Sequence, residues 1–213
     1  MISFKTQSLL TLVFAASLMV SNVQAEFMGL PSGRSASPAN MSDLTVELGF
    51  MTGDLADNDF QNIGARVNFR LSPEVVLIGD IGVSEFGNRD GNPVGLGLLY
   101  FLSRQRISDK LDIAAKASYH TGEYSVGGTD TDLSGLSLEA LLSGKNPLAD
   151  SGLGWYANFG YHLLRVKSGS SDSSNEIGIG GGLVLPIAAG EAYVGVDLID
   201  EVTFGLGFRY FVQ

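Results

Sequence analysis

Residues 191–212 read EAYVGVDLIDEVTFGLGFRYFV. Ala192, Val194, Val196 and Leu198 fall on one parity of the first half. Phe204, Leu206, Phe208, Tyr210 and Val212 fall on one parity of the second. The intervening positions hold Gly195, Asp197, Gly205, Gly207 and Arg209. A strict period of two is the signature of a β-strand with two unlike faces. Asp200-Glu201 supplies a tight turn between the two runs, so the segment reads as a hairpin. One face is strongly apolar, and the other carries glycine and charge. A soluble sandwich would point the apolar face inward, whereas a membrane barrel points it outward to lipid.

Working upstream, the same pattern recurs. Ten runs are found: 43–52, 61–71, 75–85, 93–102, 110–121, 133–143, 153–166, 176–186, 191–199 and 202–212. Most hold about ten residues, which suits a tilted membrane strand; soluble strands average about five or six. An even number returns both termini to one side, as single-chain bacterial barrels require. Ten strands are expected, with eight as the alternative count. If the first run ascends, Phe69, Tyr100, Phe101, Trp155, Tyr156, Tyr193, Tyr210 and Phe211 fall near the lower strand ends. Phe50, Phe86, Tyr119, Tyr124, Tyr161 and Phe204 fall near the upper ends. Two girdles of rings match two membrane interfaces. The fold class is therefore all-β: a closed antiparallel up-and-down transmembrane β-barrel over residues 43–213.

The alternation that runs up to Val212 resembles the carboxy-terminal signal by which outer-membrane proteins are recognised for insertion, with Gln213 in place of a final aromatic. Residues 43–213 resemble, in plan, the small barrels of the OmpA-type transmembrane domain, opacity-type and OmpW-type superfamily. No motif is specific to one of those families. The resemblance implies contact with the barrel-assembly machinery through the last strand, and with outer-membrane lipid and lipopolysaccharide.

The amino-terminal end points to the same compartment. Lys5 precedes a twelve-residue apolar stretch at 9–20 (LLTLVFAASLMV), followed by the small-x-small triplet Val23-Gln24-Ala25. That length suits a signal peptide and is too short for a membrane-spanning helix. Residues 1–25 are expected to be cleaved on Sec-type export, and 26–42, rich in proline, glycine and serine, to form a flexible periplasmic linker. There is no cysteine, which excludes disulfides, an amino-terminal lipid anchor and a cysteine zinc site. A net charge of −10 argues against nucleic-acid binding.

The inward parity places Glu47, Arg66, Arg70, Asp80, Asp112, Lys116, Glu139, Asp197 and Arg209 along the lumen. Near-balanced charges in so narrow a barrel should pair and plug it, since interiors of about eight strands are filled by side chains. Inward glycines on the last three runs relieve crowding or leave a thin water path there. The segments 53–60, 86–92, 122–132, 167–175 and the turn at 200–201 read as upper loops. With flanking Glu85 and Glu176 they hold twelve acids against Arg89 and Lys167. Asp57, Asp59, Asp130 and Asp132 form the densest acidic clusters, candidate seats for Ca²⁺ or Mg²⁺, although neither cluster has EF-hand spacing. No other cofactor is indicated.

Three functions stand open: a structural barrel or narrow channel with a plugged, salt-bridged lumen; a surface interaction module using the acidic loops; and a barrel hydrolase using His120 or His162, with Ser118, Ser125, Glu123 and Glu139 as neighbours. No nucleophile elbow, zinc-protease helix or phosphate loop is present. Strands two apart lie about 10 Å from each other, which argues against a direct hydrogen bond between such rows. The sequence does not point to an enzyme, and it leaves the oligomeric state open.

Overall fold

The computed structural model describes residues 42–55, 58–102, 111–126, 129–145, 152–168, 170–187, 190–199 and 201–212. The expected signal peptide, and all but Ser42 of the expected linker, lie outside the described residues.

Every described element is a β-strand: β1 (Leu44–Leu55), β2 (Asn58–Arg70), β3 (Val75–Phe86), β4 (Arg89–Gly91), β5 (Val94–Phe101), β6 (Asp112–Val126), β7 (Thr129–Lys145), β8 (Gly154–Ser168), β9 (Ser170–Ile187), β10 (Gly190–Leu198) and β11 (Val202–Val212). Each pairs antiparallel with its neighbours, and β1 pairs with β11 from Leu44↔Val212 to Gly53↔Thr203. The sheet thus closes on itself and leaves no free edge. The strands occupy ten wall positions, because β4 and β5 both lie between β3 and β6. The break falls at Asn92-Pro93, where proline has no amide hydrogen for the ladder. The Pro93 carbonyl still accepts from Gly82 N at 2.9 Å, so the wall stays continuous past the interruption.

The turns follow local chemistry. Gly87 has φ 60°, the left-handed conformation that a short hairpin needs between Phe86 and Arg89. At the lower end, which carries Leu44 and Val212, Ser72 Oγ accepts from Glu74 N and Val75 N, both at 3.2 Å, closing the β2–β3 turn.

At the upper end the strands run further than the sequence pattern suggested. β6, β7, β8 and β9 hold 15, 17, 15 and 18 residues, whereas about ten are needed to span a bilayer. The segments read as loops at 122–132 and 167–175 are mostly strand, paired from Gly122↔Leu133 to Val126↔Thr129 and from Lys167↔Ser171 to Ser168↔Ser170. Serine, threonine and charged residues blur the period there. Backbone pairing continues regardless, because it needs no apolar face.

The barrel is inside out relative to a soluble protein. Among the described residues thirty-three large hydrophobic side chains are exposed, among them Ile63 at 67% and Leu96 at 66%, while Arg66 and Arg209 inside are each 1% exposed. Apolar patches on soluble monomers reach only about 300–600 Å², so a continuous apolar wall of this size requires lipid around it. We therefore expect Leu138→Arg, on the outward face of β7, to destabilise the barrel by about 2–4 kcal/mol. Asp130→Arg, at the exposed tip of the same strand, should change stability little. Urea unfolding in lipid vesicles checks both.

Candidate functional site in the lumen

The inward side chains form layers. Near the upper end, Met51, Phe60, Phe86, Tyr124, Leu133 and Leu164 make a buried apolar cluster. Phe86 and Tyr124 meet edge to face at 6.4 Å between centroids. A second apolar cluster, Val76, Ile78, Leu99, Phe101, Ala114 and Leu141, lines β3 to β7. A third, Tyr156, Val184 and Tyr193, lines β8 to β10. Charged groups occupy the space that these clusters leave.

Backbone register organises the charges into two groups. The first follows one row across seven strands: Glu191↔Arg209↔Glu47↔Arg66↔Asp80↔Gly95↔His120. Signs alternate along it. Arg209 Nη1 donates to Glu191 Oε2 at 2.7 Å, and Arg209 Nε lies 3.2 Å from Glu47 Oε1. The Arg209 guanidinium also sits 5.6 Å from the centre of the Tyr193 ring, within reach of a cation–π contact. Arg66 grips Asp80 with two prongs, Nε to Oδ1 at 2.5 Å and Nη2 to Oδ2 at 3.0 Å. Asp80 Oδ2 is 2.8 Å from His120 Nε2.

That last contact overturns the expectation drawn from strand spacing. Asp80 and His120 stand two wall positions apart, yet they hydrogen-bond directly. The residue between them in register is Gly95. A Cβ there would collide with the His120 ring, so the imidazole lies across the bare glycine to reach Asp80.

The second group lies on β6 to β10. Lys116 pairs with Glu139, which stands opposite it in register. Asn158 Nδ2 donates to Glu139 Oε1 at 3.4 Å and to Asp197 Oδ1 at 3.2 Å. Asp197 also reaches over a glycine, Gly180, which separates it from Asn158 in register. His162 Nδ1 is 3.0 Å from Ser137 Oγ on the neighbouring strand.

Of the residues assigned to the lumen by parity, Glu47, Arg66, Asp80 and Arg209 share the first group, and Lys116, Glu139 and Asp197 the second. Arg70 and Asp112 stand only partly buried at the lower ends of β2 and β6. Glu191, Ser137 and the inward tyrosines were not singled out from the sequence, although Glu191 and Tyr193 share the parity of Asp197. The aromatic girdles are correspondingly thinner than expected: Phe86, Phe101, Tyr124, Tyr156 and Tyr193 face the lumen. Strand-end position had outweighed parity in assigning them outward.

The acidic candidates at the upper end are spread out. Asp57 lies outside the described residues. Asp59 is exposed opposite Asp54, Asp130 accepts from Ser125 Oγ at 2.7 Å, and Asp132 lies between Glu123 and Lys167 in register. Among the described residues no three His, Cys, Asp or Glu side chains gather as metal ligands would. Of the serines proposed as neighbours of the histidines, Ser118 is buried in the lumen and Ser125 is exposed.

No family model and no curated protein matches the sequence. Solved structures do. The chain is similar to the KdgM porin, at 13% identity over 79% of this chain and 99% of that one, TM-score 0.42. It is similar to the translocator domain of autotransporter NalP from Neisseria meningitidis, at 11% identity over 81% and 90%, TM-score 0.43. It is also similar to the N-terminal β-barrel domain of Pseudomonas aeruginosa OprF, at 14% identity over 79% and 98%, TM-score 0.32. The likeness is one of general barrel plan.

The lumen chains carry a stability consequence. Arg66→Ala would leave Asp80 buried without its charged arginine partner, with only the His120 contact, and should cost about 3–5 kcal/mol. Arg66→Lys should recover only part of this, since an ammonium cannot reproduce the two-pronged grip. Denaturant midpoints of the refolded barrels measure both.

Proposed function

We propose that this chain is a bacterial outer-membrane barrel that is closed at rest, acting as an envelope scaffold or at most as a narrow passage. The carrying observation is the filled interior. Phe60 and Tyr124 at the upper end are each 1% exposed, as are Glu47 and Arg66 further down. A ten-stranded wall is narrow to begin with, and barrels with aqueous channels have about sixteen strands or more. Paired charges and packed rings in such a space leave no wide path for solutes. The outward apolar wall supports the membrane location, and the expected signal peptide supports export to it.

A second reading keeps some ground. The hairpins β6–β7 and β8–β9 rise beyond the membrane-spanning length and carry exposed Glu123, Asp130, Asp132 and Lys167. Such a raised edge suits contact with another surface, and a hydrated acidic face would equally serve to repel anions and aggregation.

Planar-bilayer recording tests the closed-lumen reading. The wild-type barrel should show no sustained, wide-porin conductance. A Phe60→Ala/Tyr124→Ala variant, with its upper cluster shortened, should show more frequent and larger steps. Steady wild-type conductance on the scale of a sixteen-stranded porin would refute the proposal.

A further inference from the structure

The second charge group is one positive charge short. Lys116 faces two carboxylates, Glu139 and Asp197, and is paired with Glu139. Asp197 is 2% exposed. Its side-chain hydrogen bond comes from Asn158 Nδ2, a neutral donor. A buried carboxylate compensated this weakly is expensive. His162 lies within electrostatic reach of Glu139 and Lys116 but spends Nδ1 on Ser137.

A second observation points to what completes the group. Asn158 is 7% exposed, and its Oδ1 is buried without a hydrogen-bond partner among the described residues. That oxygen and Asp197 Oδ1 converge on one spot, the face of Gly180, where a Cβ would collide with both. The Tyr156 hydroxyl, likewise buried without a partner, lies across Gly182 and Gly195, the next inward glycines, within electrostatic reach of Asp197. The faces of Gly180 and Gly182 are where these oxygens come together.

We propose that the lumen holds a seat for one alkali-metal cation, bound by Asp197 Oδ1 and Asn158 Oδ1 where they meet beside Gly180. A hard monovalent ion suits oxygen donors and supplies the single missing charge. Calcium and magnesium sites recruit more oxygen ligands, commonly several carboxylates. The glycine matters because any side chain at 180 would push the two oxygens apart. This inference deepens the closed-lumen reading, since an ion held in the wall-lining network acts as part of the packing.

The test compares barrels refolded in detergent at pH 8, where a histidine is ordinarily neutral. Melting temperature is read in potassium chloride, sodium chloride and N-methylglucamine chloride at equal ionic strength, with the organic cation too bulky for the seat. The wild-type barrel should melt about 3 °C higher in an alkali salt. Asp197→Asn, which removes the charge, and Gly180→Ala, which keeps every charge but displaces both oxygens from their meeting point, should both lose the difference. Heat-modifiability on a gel establishes that each variant is folded. If Asp197→Asn does not fold, Gly180→Ala carries the comparison alone. Equal wild-type melting in all three salts, or a difference that persists in a folded variant, overturns the proposal. Melting is read whether or not the barrel conducts, so failure of the cation seat and failure of the closed-lumen reading are separately visible.

Discussion

Ten strands close a cylinder too narrow for large side chains to stand side by side, and the whole interior is organised by how it avoids that crowding. Part of the solution is to lay several large inward side chains over a glycine of a nearby strand. His120 lies over Gly95, Tyr124 over Gly91, Tyr193 over Gly207, and Tyr156 over both Gly182 and Gly195. Asp197 and Asn158 meet over Gly180. The glycines therefore set which polar groups can touch. Without Gly95, Asp80 and His120 would be held apart by a side chain, and the charge row from Glu191 would stop at Asp80.

This arrangement reconciles two opposing costs. Lipid outside demands an apolar outer wall, which uses up one parity of every strand. The other parity must then fill a narrow space with whatever polar groups the chain carries. Isolated buried charges are costly, but charges in alternating sign with two-pronged or bridging hydrogen bonds recover most of that cost. Arg66 and Arg209 each engage acids on neighbouring strands. They hold the sheet at the level where β10, β11, β1, β2 and β3 meet, which includes the seam between the first and last strands. Ionic pairing here also specifies register, because a one-residue slip would turn the charges into lipid.

Parity was the most legible feature of the sequence, and it places nearly every described inward and outward side chain. Leu44 to Phe50 on β1, and Phe204 to Tyr210 on β11, alternate as cleanly in the structure as in the letters. Strand-end position is the weaker signal where the two conflict. Tyr156, Tyr193, Phe101, Phe86 and Tyr124 sit near strand ends and resembled girdle residues, yet each carries the inward parity of its own strand. The upper strand extensions were hidden for a different reason. Segments such as 170–175 (SSDSSN) have no apolar face to alternate, and only the hydrogen bonds of the partner strand make them β.

Taken alone, the sequence determined the class of strand and which residues share a face, because both follow from a period of two repeated in long runs; it pointed to a membrane barrel of ten strands with eight still open. Its nine proposed lumen charges named residues and not contacts. Only the tertiary structure decided which charges touch. The partner of Asp80 across Gly95, the role of Glu191 beside Arg209, and the meeting of Asp197 and Asn158 over Gly180 all depend on the exact register of paired strands. No local pattern records that register. It comes from how each turn aligns its hairpin and from the seam where β1 meets β11.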